Sequence, residues 1–466
     1  MAHKVYNLFI KKRIVMKKRI NLIVFTCLTM TMGLLSCSND SSDDARALDD
    51  TGKKTFMTVS LTFPKEGTTT RVTSDPNATD NEAEIKTVDV FLYTSNGAYL
   101  SRTSLTASDF TQSASGSTDD KYTYNSVSKI QTSTGDKNVF VGINLPAGIA
   151  TALENKHMSD LSTVAQTMSR TDMTTLANGI PMFSTAGVSS TFVEDDTDPA
   201  NNVTVTVQRM VAKITVEKSA TMIQEGVPGT LGAITFAINN FNLKSFMVQG
   251  TAPDYKDPNW ANGSFLASDF SQAVDADYVP ALDLSVNNSP AISDYTACYA
   301  AENTSEAKTK KEITRATVRA TFIPGVITIS DGGSGYTTTT PAALGINAPE
   351  TFWTVTPSIG SASAYFYDEA VANAYAAANS NANVVEYTNG YCYWDMFLNK
   401  PSSTNKWDVL RNDYYKCTIT RIVTPGKASP NVYPPDSTPD EDTEITVDIN
   451  VLFWNTPVLA DYELEP

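Results

Sequence analysis

The sequence predicts a mainly β protein, organised as two β-sandwich domains in series with a few short helices. Three observations carry that prediction. The chain is rich in Thr, Val, Ser, Asn and Tyr, with punctuating Gly and Pro, which is sheet-and-turn composition. Apolar and polar residues alternate with a period of two in several separated stretches, the mark of half-buried strands. Finally, 466 residues at 41% hydrophobic content are enough for two or three domains with real cores.

Taken in order, the clearest strand is Thr55 to Pro64, where Met57, Val59, Leu61 and Phe63 alternate with Thr58, Ser60 and Thr62. The polar stretch from Lys65 to Glu84, which contains Arg71, reads as a flexible loop. Ile85 to Tyr93 reads as a strand leading into an Asn96-Gly97 turn, and Lys137 to Ile143 as a buried strand closed by Pro146. Met158 to Leu176 has helical spacing and is the predicted α element of this half. Val203 to Val216 (VTVTVQRMVAKITV) reads as one long strand; with the Gly226–Gly232 turn region behind it, it divides the chain into halves. In the second half, Ile234–Leu243, Thr314–Ile323, Tyr415–Ile422 and Glu444–Phe453 read as strands. Gly332–Gly335 with Thr337–Thr340 reads as loop, Ala370–Asn379 as a helix, and Pro425–Thr443 as an exposed connection.

The N-terminus carries an export signal. Lys17-Lys18-Arg19 precede an apolar run from Ile20 to Leu35, too short for a comfortable membrane span of roughly 20 apolar residues. Met16 reads as the start, because the residues before it add a second basic patch without improving the signal. The run ends in Leu34-Leu35-Ser36-Cys37, which resembles a bacterial lipobox, in which the cysteine is diacylated (the palmitate-bearing position) and becomes the first mature residue. A hydrophilic, acidic tether, Ser38 to Asp44, follows. The whole chain carries a net charge of −16, but the first 36 residues hold seven Lys/Arg and no acids, so from Cys37 onward 28 basic residues face 51 acidic ones, or −23. That excludes a nucleic-acid surface as the main business, since phosphate binding needs clustered cations.

Chemistry-bearing constellations are sparse, and no cofactor, metal or catalytic residue is assigned. There are two histidines, His3 in the signal and His157, so neither a histidine-built zinc site nor a Ser–His–Asp triad has enough partners; His157 is assigned a surface or capping role. The Gly332–Gly335 loop lacks the Lys-Ser/Thr tail of a phosphate loop. The acidic runs Glu194–Asp198 and Asp436–Glu444 lack the spaced ladder of a calcium loop and read as solvated. Of the five cysteines, Cys298, Cys392 and Cys417 fall in the folded part, an odd and widely spaced set that is no disulfide framework; Cys392 and Cys417 could still pair.

Several stretches, in order, resemble the fimbrillins, the FimA/Mfa-type major fimbrial subunits of Bacteroidales: the lipobox at Cys37, IKTVDVFLYTSNG (85–97), KNVFVGINLP (137–146), VTVTVQRMVAKITV (203–216), LRNDYYKCTITRIVTPG (410–426) and EITVDINVLFWNTPV (444–458). The stretch from Thr251 to Thr404 matches nothing in that pattern. The resemblance implies two transthyretin-like sandwiches, no enzymatic activity and polymerisation by strand exchange. It implies a precursor delivered to the outer membrane through lipid on Cys37, then cut by a trypsin-like protease in the loop after the first strand. Carried onto this chain, the cut falls after Arg71, leaving Val72 as the new N-terminus; Arg46 precedes the strand, so cutting there opens no groove. The implied division is 1–36 signal, 37–71 lipidated propeptide with a removable strand (Met57, Val59, Leu61, Phe63), 72–212 and 213–455 sandwich domains, and 456–466 donor strand. The implied partners are other copies of the chain, accessory fimbrial subunits and an adhesion ligand on a host or bacterial surface.

The residues support strand exchange independently. The tail has Val458, Ala460, Tyr462 and Leu464 at every second position, the same knobs that Met57–Phe63 present, and a leaving and an arriving strand must fit one groove. Burying four or five such side chains contributes on the order of 6–15 kcal/mol gross, comparable to a domain stability of about 5–15 kcal/mol. The expected function is thus a shaft-type subunit of a surface fimbria. Two alternatives are a tip or anchor subunit, and a permanently lipid-anchored protein capturing glycan or protein. The second draws on 20 Tyr, 19 Phe and 5 Trp, although Tyr391, Tyr393 and Trp394 alternate with Cys392 in a strand-like run and are assigned to the core.

Overall fold

The computed structural model describes residues 52–63, 82, 84–112, 123–250, 255–262, 266–306, 308–356, 364–379, 382–398, 407–430, 439 and 445–453. The fold is mainly β, with four short α-helices among these residues. Seven strands open the chain: β1 (Lys54–Thr62), β2 (Thr87–Thr94), β3 (Tyr99–Thr106), β4 (Phe110–Gln112), β5 (Thr123–Ser126), β6 (Ile130–Ser133) and β7 (Gly135–Ile143). With Met182–Ser184, Val188–Phe192 and Asn202–Arg209 they form one ten-stranded sheet. Its order is β3, β2, β7, Met182–Ser184, Asn202–Arg209, β1, β5, β4, with Val188–Phe192 on β7 and β6 on β1. β2 and β3 form the hairpin expected from Asn96-Gly97, with Gly97 at φ 91°.

The predicted long strand Val203–Val216 is two strands. It breaks at Met210, a fully buried residue whose N–H bonds to the Pro181 carbonyl at 2.9 Å, while Asn412 Oδ1 accepts from Arg209 N–H. Asn202–Arg209 ends the first sheet, and Val211–Gly226 runs into a second with Ala297–Ala301, Asp413–Thr424 and Ile445–Phe453. Ile234–Leu243 likewise breaks at Asn240, which takes φ 50° so that its side-chain amide can donate to three carbonyls between Lys310 and Ile313. Thr235–Asn239 instead pairs with Arg315–Pro324, which also carries Tyr391–Phe397.

Other expectations are corrected. Met158–Leu176 is not one helix but a 3-10 turn (Met158–Ser162), a two-residue strand (Gln166–Thr167) and a short helix (Arg170–Thr174). His157 and Ser169 each start a separate capped turn, and Thr167 is drawn into pairing with Lys244, so tertiary contact overrides local spacing. The predicted loop at Thr337–Thr340 contains a strand, Tyr336–Thr339, hairpinned to Ile327–Ser330 across the glycines. Together with the small sheet Tyr365–Phe366, Phe352–Thr356 and Asn383–Tyr387 and the helix Glu369–Ala378, it forms an excursion between two strands that are themselves neighbours. That excursion builds its own core from Val355, Phe366, Ala372 and Ala376, in the stretch where the sequence matched no pattern.

One apolar cluster joins the halves, running from Phe91, Phe140 and Phe183 through Met210 to Phe236 and Trp394. Beside it lies a buried polar pin. Glu82, just ahead of β2, accepts from Lys213 Nζ at 2.9 Å and from the Tyr299 hydroxyl at 2.6 Å, and its carbonyl accepts from Arg209 Nε. Glu82 is 1% and Lys213 3% exposed, and burial pushes the Lys213 ammonium below its ordinary value against the pull of Glu82. Truncating Glu82 removes the carboxylate that accepts from the buried Lys213 ammonium and whose charge offsets the buried Arg209 guanidinium. Glu82→Ala is therefore expected to lower stability by about 3–5 kcal/mol, read from urea unfolding; a loss under about 1 kcal/mol would show the pin to be unimportant.

Candidate functional site

β1 is the strand on which the sequence concentrated attention, and it is a central strand. Its second half runs parallel to Asn202–Arg209, from Thr58↔Asn202 to Thr62↔Thr206, and antiparallel to β5 on the other side. Its first half pairs with β6, from Lys54↔Ser133 to Met57↔Ile130. Met57, Val59, Leu61 and Phe63 are all between 0 and 4% exposed and lie in one cluster with Val90, Val141 and Val205. Phe63 also meets the Tyr124 ring edge-on at 6.1 Å.

The other face of β1 is covered more than a half-buried strand requires. On that face Ser60 is buried, and its hydroxyl donates to Asn125 Oδ1 at 2.6 Å; Thr55, on the same face as Met57, is buried as well, and its hydroxyl donates to the Val193 carbonyl at 2.7 Å and accepts from the Asn201 amide. Ser126 Oγ accepts from the Val59 N–H at 2.9 Å. Asn125, Ser126 and Asn201, whose amide donates to the Thr55 hydroxyl at 3.3 Å, escaped the sequence reading because a lone Asn or Ser carries no signal of the distant residue it will serve. Leu61→Ala is expected to destabilise the full chain by about 2–5 kcal/mol in denaturant unfolding, the cost of a cavity in a packed core; a change below about 0.5 kcal/mol would mean that β1 is not packed as described.

The remaining sequence-derived site residues are Cys37, Arg71, Val72, Val458, Ala460, Tyr462 and Leu464, and all lie outside the described residues. Of the chain near the tail, Ile445–Phe453 pairs antiparallel with Asp413–Thr424 and buries Ile445 and Val447 in the apolar cluster that joins the halves.

The other candidates resolve into structural roles. His157 Nε2 bonds to the Asn96 carbonyl at 2.8 Å and Nδ1 to Ser159 Oγ at 2.8 Å, so the ring clips the β2–β3 turn to a 3-10 turn. Asp195 and Asp198 hold their own loop's backbone, and Glu194 and Asp196 pair with Lys53 and Lys129. No group of metal ligands occurs among the described residues. Cys298, Cys392 and Cys417 are thiols without a disulfide, which leaves the pairing of Cys392 with Cys417 unmade. Trp394 is core, as expected, with its indole N–H on the Val423 carbonyl at 2.8 Å. Tyr391 and Tyr393 are not: they lie on the opposite face of the strand and are half-buried, Tyr391 stacking on Arg319. Strand alternation demands this, since 391 and 393 cannot share a face with 392 and 394.

Comparison with known proteins bears on two segments. Residues 56–224 match the family model "Major fimbrial subunit protein (FimA)", and residues 385–458 match "Major fimbrial subunit protein type IV, Fimbrillin, C-terminal". No curated protein sequence matches the chain. Solved structures similar to it include a candidate cell adhesion protein from Parabacteroides distasonis, at 15% identity, covering 86% of this chain and 100% of that one with a TM-score of 0.47. Another from Bacteroides eggerthii is 14% identical, covering 86% and 97% with a TM-score of 0.43. A fimbrilin (fimA) from Porphyromonas gingivalis is 13% identical, covering 86% and 98% with a TM-score of 0.42.

Proposed function

Because the chain belongs to the fimbrillin family of fimbrial subunits, we propose that it is a shaft-type subunit which polymerises by exchanging β1 for the tail of a neighbouring copy. It is a structural, non-enzymatic subunit of a cell-surface fimbria that serves adhesion and assembles with other fimbrial subunits. In the finer reading the precursor is a lipoprotein anchored in the outer membrane through Cys37. A trypsin-like protease cuts between Arg71 and Val72. The piece 37–71 leaves with its lipid, and residues 456–466 of the next copy enter the vacated place, with accessory subunits starting or ending the fibre. The sandwich bodies are then 72–212 and 213–455.

The single observation that supports this most is the position of β1. It is the first described strand and is buried on both flanks, yet it is joined to the rest of the sheet only through residues 63–86. One cut in that connection makes a central strand a separate peptide, held by contacts alone. The tail supplies matching alternate knobs, and strand addition takes affinity from the main-chain ladder and specificity from those knobs. The test is limited trypsin digestion of the purified precursor, with N-terminal sequencing and electron microscopy. A new N-terminus at Val72 with fibres is expected; fibres from uncut chain, or cutting at Arg71 without loss of β1 and without fibres, would overturn the reading.

A further inference from the structure

We propose that β4, β5 and β6 are the second wall of the acceptor site, a wall that β1 ties to the sheet and that the entering strand of a second copy must tie back. The proposal rests on the strand-exchange reading above and adds which residues receive the partner.

Among the described residues β6 pairs only with β1, β4 pairs only with β5, and β5 pairs only with β1 and β4. Every ladder connection from these three strands to the sheet therefore passes through β1. The opposite flank is different: Asn202–Arg209 is held by Met182–Ser184, which is held by β7. Losing β1 leaves one flank standing and removes the ladder support of the other. Outside the ladders, side-chain contacts also touch the wall, Tyr124 packing against the apolar cluster among them. Phe110 and Ile130 keep their places in the apolar cluster, and Lys129 pairs with Asp196 at 2.7 Å, an exposed ion pair of little weight. The chain itself continues into β3 at Thr106 and β7 at Gly135.

The wall also reads what enters. Ser126 accepts the N–H of Val59, Asn125 accepts the hydroxyl of Ser60, and Tyr124 meets the ring of Phe63. A strand with proline at the position of Val59 would leave Ser126 Oγ without that donor. The tail fits this requirement: Pro457 and Pro466 bracket the proline-free run 458–465, comparable in length to the 9 residues of β1. A detached wall with open strand edges is also the surface that a neighbour's strand satisfies by pairing on both sides.

Hydrogen–deuterium exchange on the full chain tests this, comparing residues 123–133 with residues 139–143 of β7. In Val59→Pro, which disrupts the β1 ladder without any protease, exchange of 123–133 is expected to rise at least about tenfold while 139–143 rises far less. In chain cut at Arg71 and freed of β1, the same contrast is expected, and a synthetic peptide of residues 456–466 should restore protection of 123–133. Equal rises in both segments would mean that the whole sandwich unfolds, and unchanged exchange of 123–133 would mean that the wall stands alone; either overturns the proposal. If Val59→Pro shows the contrast but the peptide binds without protecting 123–133, the wall is not part of the acceptor site and this proposal fails. If cutting never releases β1, the processing reading fails, and Val59→Pro still decides the wall.

Discussion

An Arg71→Ala chain is expected to fold, to keep β1 through protease treatment and to form no fibres under conditions in which the wild type does. The reason lies in how β1 is held. Met57, Val59, Leu61 and Phe63 are almost fully buried, and the strand is paired along its length, on both edges from Ser60 to Thr62. Four such side chains represent about 6–12 kcal/mol of gross apolar burial. While the strand remains covalently attached, a competing tail must displace an intramolecular strand, whose effective concentration is of about millimolar order. Cutting removes that advantage and lets departure become irreversible by dilution. Electron microscopy and the intact mass of the treated protein read the result; an Arg71→Ala chain that polymerises as well as wild type would end the processing reading.

Deleting residues 456–466 is expected to give the complementary failure: a chain that folds, is cut, and never elongates. Folding should survive because Ile445–Phe453 remains as the closing strand on Asp413–Thr424, with Ile445 and Val447 in the core, and β1 fills its own place until the cut. Its unfolding free energy should lie within about 1 kcal/mol of the full chain. After cutting, the deleted subunit can still accept a strand from a full-length neighbour but cannot donate one, so mixing it into wild type should shorten fibres. A deletion that unfolds the uncut chain would instead make the tail an ordinary core strand. Fibres of normal length formed by the deletion alone would place the donor elsewhere.

These expectations depend on features of unequal legibility. The buried face of β1 was readable because alternation is local: every second residue of a strand must face the same side, whatever lies opposite. The strands 137–143, 415–422 and 444–453 were legible for the same reason, and the structure has strands at Gly135–Ile143, Asp413–Thr424 and Ile445–Phe453. The breaks at Met210 and Asn240 were not legible. Both stretches keep strand-like composition straight through the break, and what interrupts them is a partner far along the chain, the Pro181 carbonyl for Met210 and the carbonyls of 310–313 for Asn240. Met158–Leu176 failed in the opposite sense, since a helical period was outvoted by two caps and a two-residue strand pairing.

The sequence by itself determined the mainly β class, the family and the buried, alternating face of the first strand, because composition, period and ordered motifs are properties of neighbouring residues. Only the tertiary structure decided what β1 holds together. That Glu82 pins Lys213 and Tyr299 and that Ser126 takes the Val59 N–H are facts about residues 67 to 217 positions apart, and that the ladders of β4, β5 and β6 among the described residues reach the sheet through β1 is a fact of pairing order. Strand pairing at such separations is set by which edges and faces remain open once the core has closed, and no window along the chain carries that information.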